Sequence, residues 1–154
     1  MPKTATRPIG TIYTPFKEPA GCPIQPRFSR ARGTVEVLPR YAAGLRGITR
    51  FSHIYLVYRF DRTDKESLVA RPYLEQRKRG IFTIRSPHRP NHIGISVVRL
   101  LSRRGPTLTV SGVDMLNLTP LLDIKPYVPR FDSFARASSG WLASRLKGRR
   151  SAKA

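Results

Sequence analysis

Apolar and polar positions alternate along several short stretches of the chain, and this alternation predicts β-strands. Residues 33–38 and 107–113 alternate with a period of two, which is typical of strands with one buried face. Residues 95–101 form another apolar run, and a turn at residues 102–106 joins it to residues 107–113 as a predicted hairpin. Residues 51–60 are nearly all apolar or aromatic, so we predict a central strand buried on both faces.

Prolines and β-branched residues mark the remaining predicted elements. Pro8 and Pro15 enclose a short strand, interpreted as an edge strand because proline is confined to sheet edges and strand ends. Residues 81–84 are β-branched or aromatic and predict another strand. Residues 67–70 have weak strand character, and residues 134–146 predict a short helix.

The order of these elements decides the fold class. Five or six short strands with turns, without a long helical period or an internal repeat, predict an all-β or β-rich fold, with a single antiparallel β-barrel as the expected architecture. Strand–helix–strand alternation and a glycine-rich phosphate-binding fingerprint are both missing from the sequence, which excludes the usual Rossmann layout.

Charge narrows the choice of partners. The 154 residues carry a net charge of +20, from 29 Lys and Arg against 9 Asp and Glu. Such an excess predicts an anionic partner, with nucleic acid first and an anionic membrane surface second. Residues 136–154 contain six basic residues and no acidic one. We therefore expect a barrel domain over residues 1–135, itself still basic, and a basic C-terminal tail over residues 136–154.

Cysteine and histidine usage points to a reducing compartment and to no metal site. Cys22 is the one cysteine, which excludes an internal disulfide and a cysteine-rich zinc site. His53, His88 and His92 lack the spacing of a metal-ligand set. No apolar run has the length of a membrane span, and the N-terminus lacks the apolar region of a signal peptide. We expect a soluble, cytoplasmic protein without membrane contact.

Two stretches carry more polar chemistry than a connection requires. Residues 85–92 hold six donor-rich side chains, and Pro87 and Pro90 stiffen the backbone that carries them. The guanidinium groups of Arg85 and Arg89 suit recognition of a carboxylate or a phosphate, although both also fit the surface of a basic protein. Residues 114–127 are apolar enough to be buried, yet contain four polar residues that act either as structural staples or as site residues: Asp114, Asn117, Thr119 and Asp123.

At these motifs the chain resembles the TrmO/YaeB family, also called the TsaA-like family. The resemblance covers about residues 8 to 132. Its most specific parts are Gly-Ile-Phe-Thr-Ile-Arg-Ser-Pro-His-Arg-Pro-Asn-His-Ile-Gly at residues 80–94 and Thr-Pro-Leu-Leu-Asp-Ile-Lys-Pro-Tyr at residues 119–127. Shorter matches lie at Ile-Gly-Thr-Ile (9–12), Thr-Pro-Phe-Lys (14–17), Pro-Ile-Gln-Pro (23–26), Phe-Ser-His (51–53) and Asp-Met (114–115).

The resemblance implies a homodimeric, S-adenosylmethionine-dependent methyltransferase with a β-barrel core. Its members methylate the exocyclic nitrogen of threonylcarbamoyl-adenosine next to the anticodon of certain tRNAs. The β-rich pattern, the missing Rossmann fingerprint and the positive charge agree with this from the residues alone.

Carried onto this sequence, the resemblance implies site residues in several segments. The tentative catalytic base is Asp114, with a structural carboxylate as the open alternative. The candidate RNA contacts are Arg89, Asn91 and Lys125. The candidate cofactor contacts come from the proline-rich loop, the end of the central strand, residues 85 and 95, and the run before residue 120: Gln25, Pro26, Arg27, Phe28, Asp61, Arg62, Arg85, Ile95, Leu116, Asn117, Leu118 and Thr119.

The sequence departs from the family pattern at two cofactor positions. Asp61-Arg62 stands where members often have His-Gln or His-Lys, and Asn117-Leu118 where they have Asp-Gly or His-Gly. Longer members also have a C-terminal domain, whose RNA contacts the basic tail is expected to replace in part. Two alternatives therefore stay open: a non-catalytic RNA-binding module on the same fold, and a methyltransferase for a substrate other than tRNA.

Overall fold

Six of the eight strands form a closed antiparallel barrel in the computed structural model, which describes residues 4–23, 29–73 and 75–150 and, for residues 147–150, the backbone alone. The strands are β1 Gly10–Tyr13, β2 Arg32–Val37, β3 His53–Arg59, β4 Val69–Ala70, β5 Arg79–Gly80, β6 Ile93–Arg104, β7 Thr107–Ser111 and β8 Thr119–Pro126. Around the barrel they follow the order β1, β2, β7, β6, β3, β8, while β4 and β5 pair separately. The predicted fold class, a β-rich single antiparallel barrel, is confirmed.

The helical segments are short. They are α1 Pro129–Asp132 and α2 Leu142–Arg150, with 3-10 turns at Pro19–Gly21, Pro39–Leu45, Ile48–Arg50, Ile81–Thr83 and Pro90–His92. Among the described residues, no helix combines the length and the apolar character that crossing a membrane would require.

The barrel core comes from the inward-facing half of each strand. In β3, Ile54, Leu56 and Tyr58 are buried, whereas the residues between them are partly exposed. The prediction that this strand is buried on both faces is therefore wrong, because the wall of a barrel turns one face to the core and the other outward. The buried apolar set includes Ile12, Val35, Val37, Ile54, Leu56, Val98, Leu108, Val110 and Leu121.

The first strand has a hydrogen-bonded neighbour on each side. β1 pairs with β2, with Gly10 opposite Val37, and with β8, with Gly10 opposite Leu121. The strand predicted between Pro8 and Pro15 is present, but its interpretation as an edge strand is wrong. The prolines lie outside the paired residues, so they limit the length of β1 without removing ladder hydrogen bonds.

The strand predicted at residues 81–84 is also wrong, because this segment forms a 3-10 turn. The hydroxyl of Thr83 donates to the carbonyl of Gly80 at 2.8 Å, and the Ile84 amide donates to the Ile81 carbonyl at 3.2 Å. These local bonds replace the neighbouring strand that β propensity alone led us to expect.

The chain divides into two units. The first contains residues 1–66 and 87–127 and includes the barrel, and the second contains residues 67–86 and 128–154. In the second unit, β4 pairs with β5, and the indole Nε1 of Trp141 donates to the Thr83 carbonyl at 3.0 Å. The helix predicted at residues 134–146 is correct only for residues 142–146, which begin α2, because residues 134–141 are not helical. The predicted boundary between residues 135 and 136 stays a prediction.

One glycine of β6 makes room for an aromatic ring inside the barrel. A Cβ added at Gly94 would lie 2.7 Å from Cζ of Tyr58 and 2.8 Å from Cζ of Phe60. The two rings meet edge to face, with centroids 5.4 Å apart. The missing side chain at residue 94 therefore lets Tyr58 fill the core at that level.

Candidate active site

The loop before β8 is fastened to the segment that follows β1. The Thr14 amide donates to Oδ1 of Asn117 at 3.0 Å, and the Thr14 hydroxyl donates to the Met115 carbonyl at 2.8 Å. The Asn117 amide donates in turn to the Phe16 carbonyl at 2.7 Å. These bonds join segments about a hundred residues apart and fix the backbone of the predicted cofactor run, residues 116–119.

A second contact brings the end of β3 to the same loop. The guanidinium of Arg62 donates to the backbone carbonyl of Asn117, and its Nε lies 3.5 Å from Oδ1 of Asp61. The structure thus brings together both pairs at which the sequence departs from the family pattern. The hydrogen bond from Arg62 reaches the backbone oxygen of Asn117, which any residue at position 117 would supply.

Leu118 occupies an uncommon backbone conformation in this loop. Its φ is +66°, in the left-handed region that is costly for a branched side chain. The side chain is 53% exposed. The neighbouring Thr119 hydroxyl donates to the Leu116 carbonyl at 2.6 Å and closes the loop. The fastened backbone thus presents an apolar side chain to solvent beside polar groups, which is a common feature of binding loops.

A cleft lies beside the end of β3 and the start of β8. Asp61 and Asp64 supply carboxylates, Pro120 and Leu122 supply apolar surface, and Thr6, Pro8, Arg59 and Thr63 complete the lining. Carboxylates accept hydrogen bonds from ribose hydroxyls, and apolar side chains cover an adenine ring. The chemistry of these residues therefore fits the adenosine part of S-adenosylmethionine.

A chain of hydrogen bonds leads from the barrel interior to Asp114. The Ser96 hydroxyl donates to Oδ1 of Asp114 at 2.5 Å, and the Tyr58 hydroxyl lies 2.9 Å from the same Ser96 oxygen. Because a serine hydroxyl has one proton and Ser96 gives it to the carboxylate, Tyr58 is the donor in the second bond. Ser96 is 2% exposed. These bonds favour the structural alternative for Asp114, whose catalytic assignment stays a prediction.

Cys22 is held against the backbone of the same loop. Its Sγ donates to the Asp114 carbonyl at 2.8 Å. Burial, with the nearby charge of Asp114 as a second cause, raises the pKa of the Cys22 thiol to about 11. A thiol with such a pKa is protonated at neutral pH, so it acts here as a donor to the loop and is a poor nucleophile.

The proline-stiffened loop is tied to the segment after β3. Nδ1 of His88 lies 2.9 Å from the hydroxyl of Thr63, and the Phe60 amide donates to the His92 carbonyl at 2.8 Å. Asn91 and His92 have φ values of +63° and +51°. The two histidines therefore have structural contacts, and the loop is bonded to Phe60 and Thr63, the residues on either side of Asp61 and Arg62.

The remaining predicted site residues stay predictions. Arg89 is half-buried and Asn91 is exposed, while Lys125 forms an exposed ion pair with Asp123 at 3.1 Å. Ile95 lies on the outer face of β6 and is 49% exposed. Arg85 is exposed and belongs to the second unit. The predictions for Gln25, Pro26, Arg27 and Phe28 lie outside the described residues.

Sequence reasoning missed four contributors to the site. Tyr58, Ser96, Thr14 and Cys22 were not predicted as site residues, yet all four hold Asp114 or the loop that follows it. Their signal was weak, because each looks like an ordinary strand or loop residue. The exception is the motif Thr-Pro-Phe-Lys at residues 14–17, in which Thr14 and Phe16 both bond to the loop.

Comparison with known proteins decides the family. Residues 11–133 match the model of the tRNA-methyltransferase O N-terminal domain. The chain belongs to this family. The resemblance inferred from the motifs is thereby confirmed, and the match ends close to the last residue at which those motifs were found.

Relatives of this tRNA-methyltransferase O domain come from all domains of life. A Pyrococcus abyssi protein named "Probable S-adenosyl-L-methionine-binding protein" is 52% identical over 137 residues, covering 88% of this chain and 74% of the relative. The human tRNA (adenine(37)-N6)-methyltransferase is 36% identical over 136 residues, covering 83% of this chain and 31% of the human protein.

Solved structures share the fold. The crystal structure of TrmO from Pseudomonas aeruginosa superimposes with a TM-score of 0.76 at 39% identity, over 90% of this chain and 62% of that chain. This chain thus spans less than two thirds of the Pseudomonas chain and about a third of the human protein. The shared part contains the barrel and the segments that line the candidate site.

Proposed function

We propose that this chain is an S-adenosylmethionine-dependent tRNA methyltransferase that methylates N6 of the threonylcarbamoyl-adenosine next to the anticodon. The observation that carries the proposal is the hydrogen bond of Arg62 to the loop at Asn117, which joins two of the predicted cofactor segments. Family membership and the net charge of +20 support the same reading.

The cofactor supplies a methyl group on a sulfonium, which needs no further activation. Asp61 and Asp64 are the residues that would accept hydrogen bonds from the ribose, and Pro120 and Leu122 those that would cover the adenine. Arg62 holds the loop at Asn117 in place. The chain then mainly has to align the acceptor nitrogen with the methyl group, and such positioning supplies up to roughly 7–11 kcal/mol in the best intramolecular models.

The acceptor nitrogen is urea-like and weakly nucleophilic, so removal of its proton assists transfer. Asp114 is the candidate base, or it positions the site through Ser96. The two roles differ in pH dependence. If Asp114 is the base, Asp114→Asn abolishes the dependence of kcat on pH in the acidic range. If Asp114 positions the site, the same substitution lowers kcat at every pH.

Two further features are part of the proposal. We propose a homodimer formed through the outer face of β6 and β3, where Ile93 and Ile95 are 42% and 49% exposed and Ile95 lies opposite Val57. Such exposed apolar surface is typical of protein interfaces. Ile95→Glu is expected to give monomers in light scattering, whereas Arg104→Glu leaves the dimer intact.

A cytoplasmic location follows from a tRNA substrate and from the single cysteine.

Methyl transfer tests the function directly. Labelled S-adenosylmethionine and tRNA bearing threonylcarbamoyl-adenosine are expected to give labelled tRNA, and the same tRNA without the threonylcarbamoyl group much less. Arg62→Ala removes the hydrogen bond that holds the loop at Asn117. The loop must then be ordered on binding, so calorimetry should show cofactor binding weakened by about tenfold, the low end of the roughly 1.5–3 kcal/mol of a charged hydrogen bond. Arg104→Ala, on the exposed end of β6, is the matched control.

The outcomes separate the open alternatives. Absence of both cofactor binding and transfer refutes the proposal in favour of an RNA-binding module. Cofactor binding with transfer only to another acceptor refutes the tRNA substrate. Equal effects of Arg62→Ala and Arg104→Ala refute the assignment of the loop at Asn117 to the cofactor site.

A further inference from the structure

The second unit has many more basic than acidic residues, so its net charge is strongly positive. By sequence, residues 67–86 and 128–154 contain twelve Lys and Arg but only two acids, Glu75 and Asp132. Asp132 accepts the Val128 amide at 2.8 Å. Glu75 is 3% exposed and holds Arg79 at 2.5 Å and Arg145 at 3.1 Å. Both carboxylates are therefore engaged within the unit, and all but Arg79 of the basic side chains that the structure describes here are exposed.

Exposed aromatic rings interrupt this basic surface. Phe82 is 77% exposed, Phe131 73%, Phe134 75% and Tyr73 68%. Burying a ring stabilises a fold, whereas so large an exposed aromatic surface is uncommon unless a partner covers it. Aromatic rings among arginines and lysines are typical of surfaces that bind unpaired nucleotides, where bases stack on rings and cations meet phosphates.

Contacts inside the unit bring one ring and several cations together. Trp141, just before α2, donates its indole N–H to the Thr83 carbonyl at 3.0 Å, next to Phe82. The guanidinium carbon of Arg79 lies 5.8 Å from the centroid of the Trp141 ring. Glu75 joins Arg79 to Arg145 of α2. The short hairpin of β4 and β5, the turn at Phe82 and the start of α2 are thus fastened as one piece.

We propose that this piece binds unpaired nucleotides of the substrate RNA. The surface, called here the Phe82 surface, consists of the exposed residues Arg77, Lys78, Phe82 and Arg145. Trp141 is bonded to Thr83, the neighbour of Phe82. A base stacks on Phe82, and the cations contact the adjoining phosphates. The occupant is RNA and not a second copy of the chain, because two units of this charge repel each other. The inference rests on the proposed function for the choice of tRNA as the RNA.

Binding is measured without cofactor, so that its outcome is independent of methyl transfer. The probes are an anticodon stem–loop with an unpaired loop and a fully paired duplex of the same length. Phe82→Ala is expected to weaken stem–loop binding about 5- to 150-fold, as one lost stacking contact does. Phe82→Trp should restore it, and duplex binding should not change. Phe51→Ala, at an exposed phenylalanine of the first unit, is the control.

Salt dependence tests the cations. Each lost phosphate contact lowers the slope of log K against log salt by about 0.7 for single strands. Arg77→Gln and Lys78→Gln are therefore each expected to lower the slope by roughly that amount, and Arg104→Gln, at the end of β6, by much less.

The inference is overturned if Phe82→Ala and the wild type bind the stem–loop with indistinguishable affinities. It is also overturned by a change of oligomeric state in Phe82→Ala without a change in RNA affinity, which would assign the ring to an interface between copies. Failure of methyl transfer by a wild-type protein that still shows Phe82-dependent RNA binding refutes the proposed function alone. Transfer with unchanged RNA binding by Phe82→Ala refutes this inference alone.

Discussion

Replacing Gly94 by alanine tests how firmly the barrel interior holds the Tyr58 ring. The new methyl group would lie 2.7 Å from Cζ of Tyr58 and 2.8 Å from Cζ of Phe60, whereas carbon atoms pack at about 3.5–4.0 Å. One ring or the strand must therefore move by about an ångström. Tyr58 has little freedom, because its hydroxyl is bonded to Ser96 and its ring packs on Phe60.

The expected cost follows from those contacts. Overpacking a core costs about 1–3 kcal/mol, and loss of the hydrogen bond from Tyr58 to Ser96 adds about 0.5–1.5 kcal/mol. The unfolded chain also becomes less flexible, which offsets up to about 1 kcal/mol of this. The contributions sum to about 0.5–4.5 kcal/mol, and we expect Gly94→Ala to lower the free energy of unfolding by about 2.5 kcal/mol, the middle of that range.

Urea unfolding followed by circular dichroism measures this cost. With a slope of about 1–3 kcal/mol per molar urea, the midpoint should fall by about 1–2 M. Gly44→Ala is the matched control, because no atom lies within 4 Å of a Cβ there and its φ is not positive. The control should stay within about 0.5 kcal/mol of wild type or be slightly more stable.

A double-mutant cycle with Tyr58→Phe tests the cause. If the added methyl breaks the bond to Ser96, Tyr58→Phe costs less in the Gly94→Ala background than in wild type, with a coupling of about 0.5–1.5 kcal/mol. Equal stabilities of Gly94→Ala and Gly44→Ala would refute the reasoning, since the ring would then adjust without penalty.

Three further predictions concern Cys22, Glu75 and Asn117. The pKa of the Cys22 thiol is raised to about 11 from an ordinary 9.0, which leaves about a hundredfold less thiolate at pH 8. Alkylation of Cys22 in the native protein should therefore be slower than in the urea-unfolded chain by a similar factor. Equal alkylation rates would contradict the raised pKa. Hydrogen bonding from Arg79 lowers the pKa of Glu75 to about 2 from an ordinary 4.5. Its contribution to stability is therefore present above pH 4.5 and lost as the pH falls towards 2. Trp141 fluorescence should report this acid transition of the second unit, and Glu75→Gln should flatten it; identical profiles would argue against the ion pairs. Asn117→Ala removes the acceptor of the Thr14 amide and should cost about 1–3 kcal/mol in the same urea assay, with Gln76→Ala, at an exposed amide side chain of the second unit, as a control that stays near wild type.

Much of the fold could be predicted because a barrel imposes a period of two on its strands. β2, β6 and β7 alternate as expected and lie where the pattern placed them. β3 was assigned two buried faces because Tyr55 and Val57 are apolar on its outer side, and the sequence does not distinguish buried apolar residues from exposed ones. At residues 81–84, local hydrogen bonds overrode β propensity.

The candidate site was predictable only where motifs carried it. Asp61, Arg62 and the run at residues 116–119 are brought together at one contact of Arg62 with Asn117. The chain of bonds through Tyr58 and Ser96 to Asp114 depends on strand register. Tyr58 lies opposite Gly94 and Leu56 opposite Ser96, so Tyr58 and Ser96 become diagonal neighbours inside the barrel. Such register cannot be read from spacing along the chain.

Closure of the barrel has a consequence for how the protein is made. Gly10 pairs with Leu121, so the seam between β1 and β8 joins residues about 110 positions apart. At about 5–20 residues per second, a ribosome takes roughly 5–20 s to synthesise the segment between them. Until then β1 and β2 have open edges, which invite pairing with other nascent chains. The barrel is therefore expected to fold late in synthesis or after release, and early stalling of translation should leave an aggregation-prone hairpin.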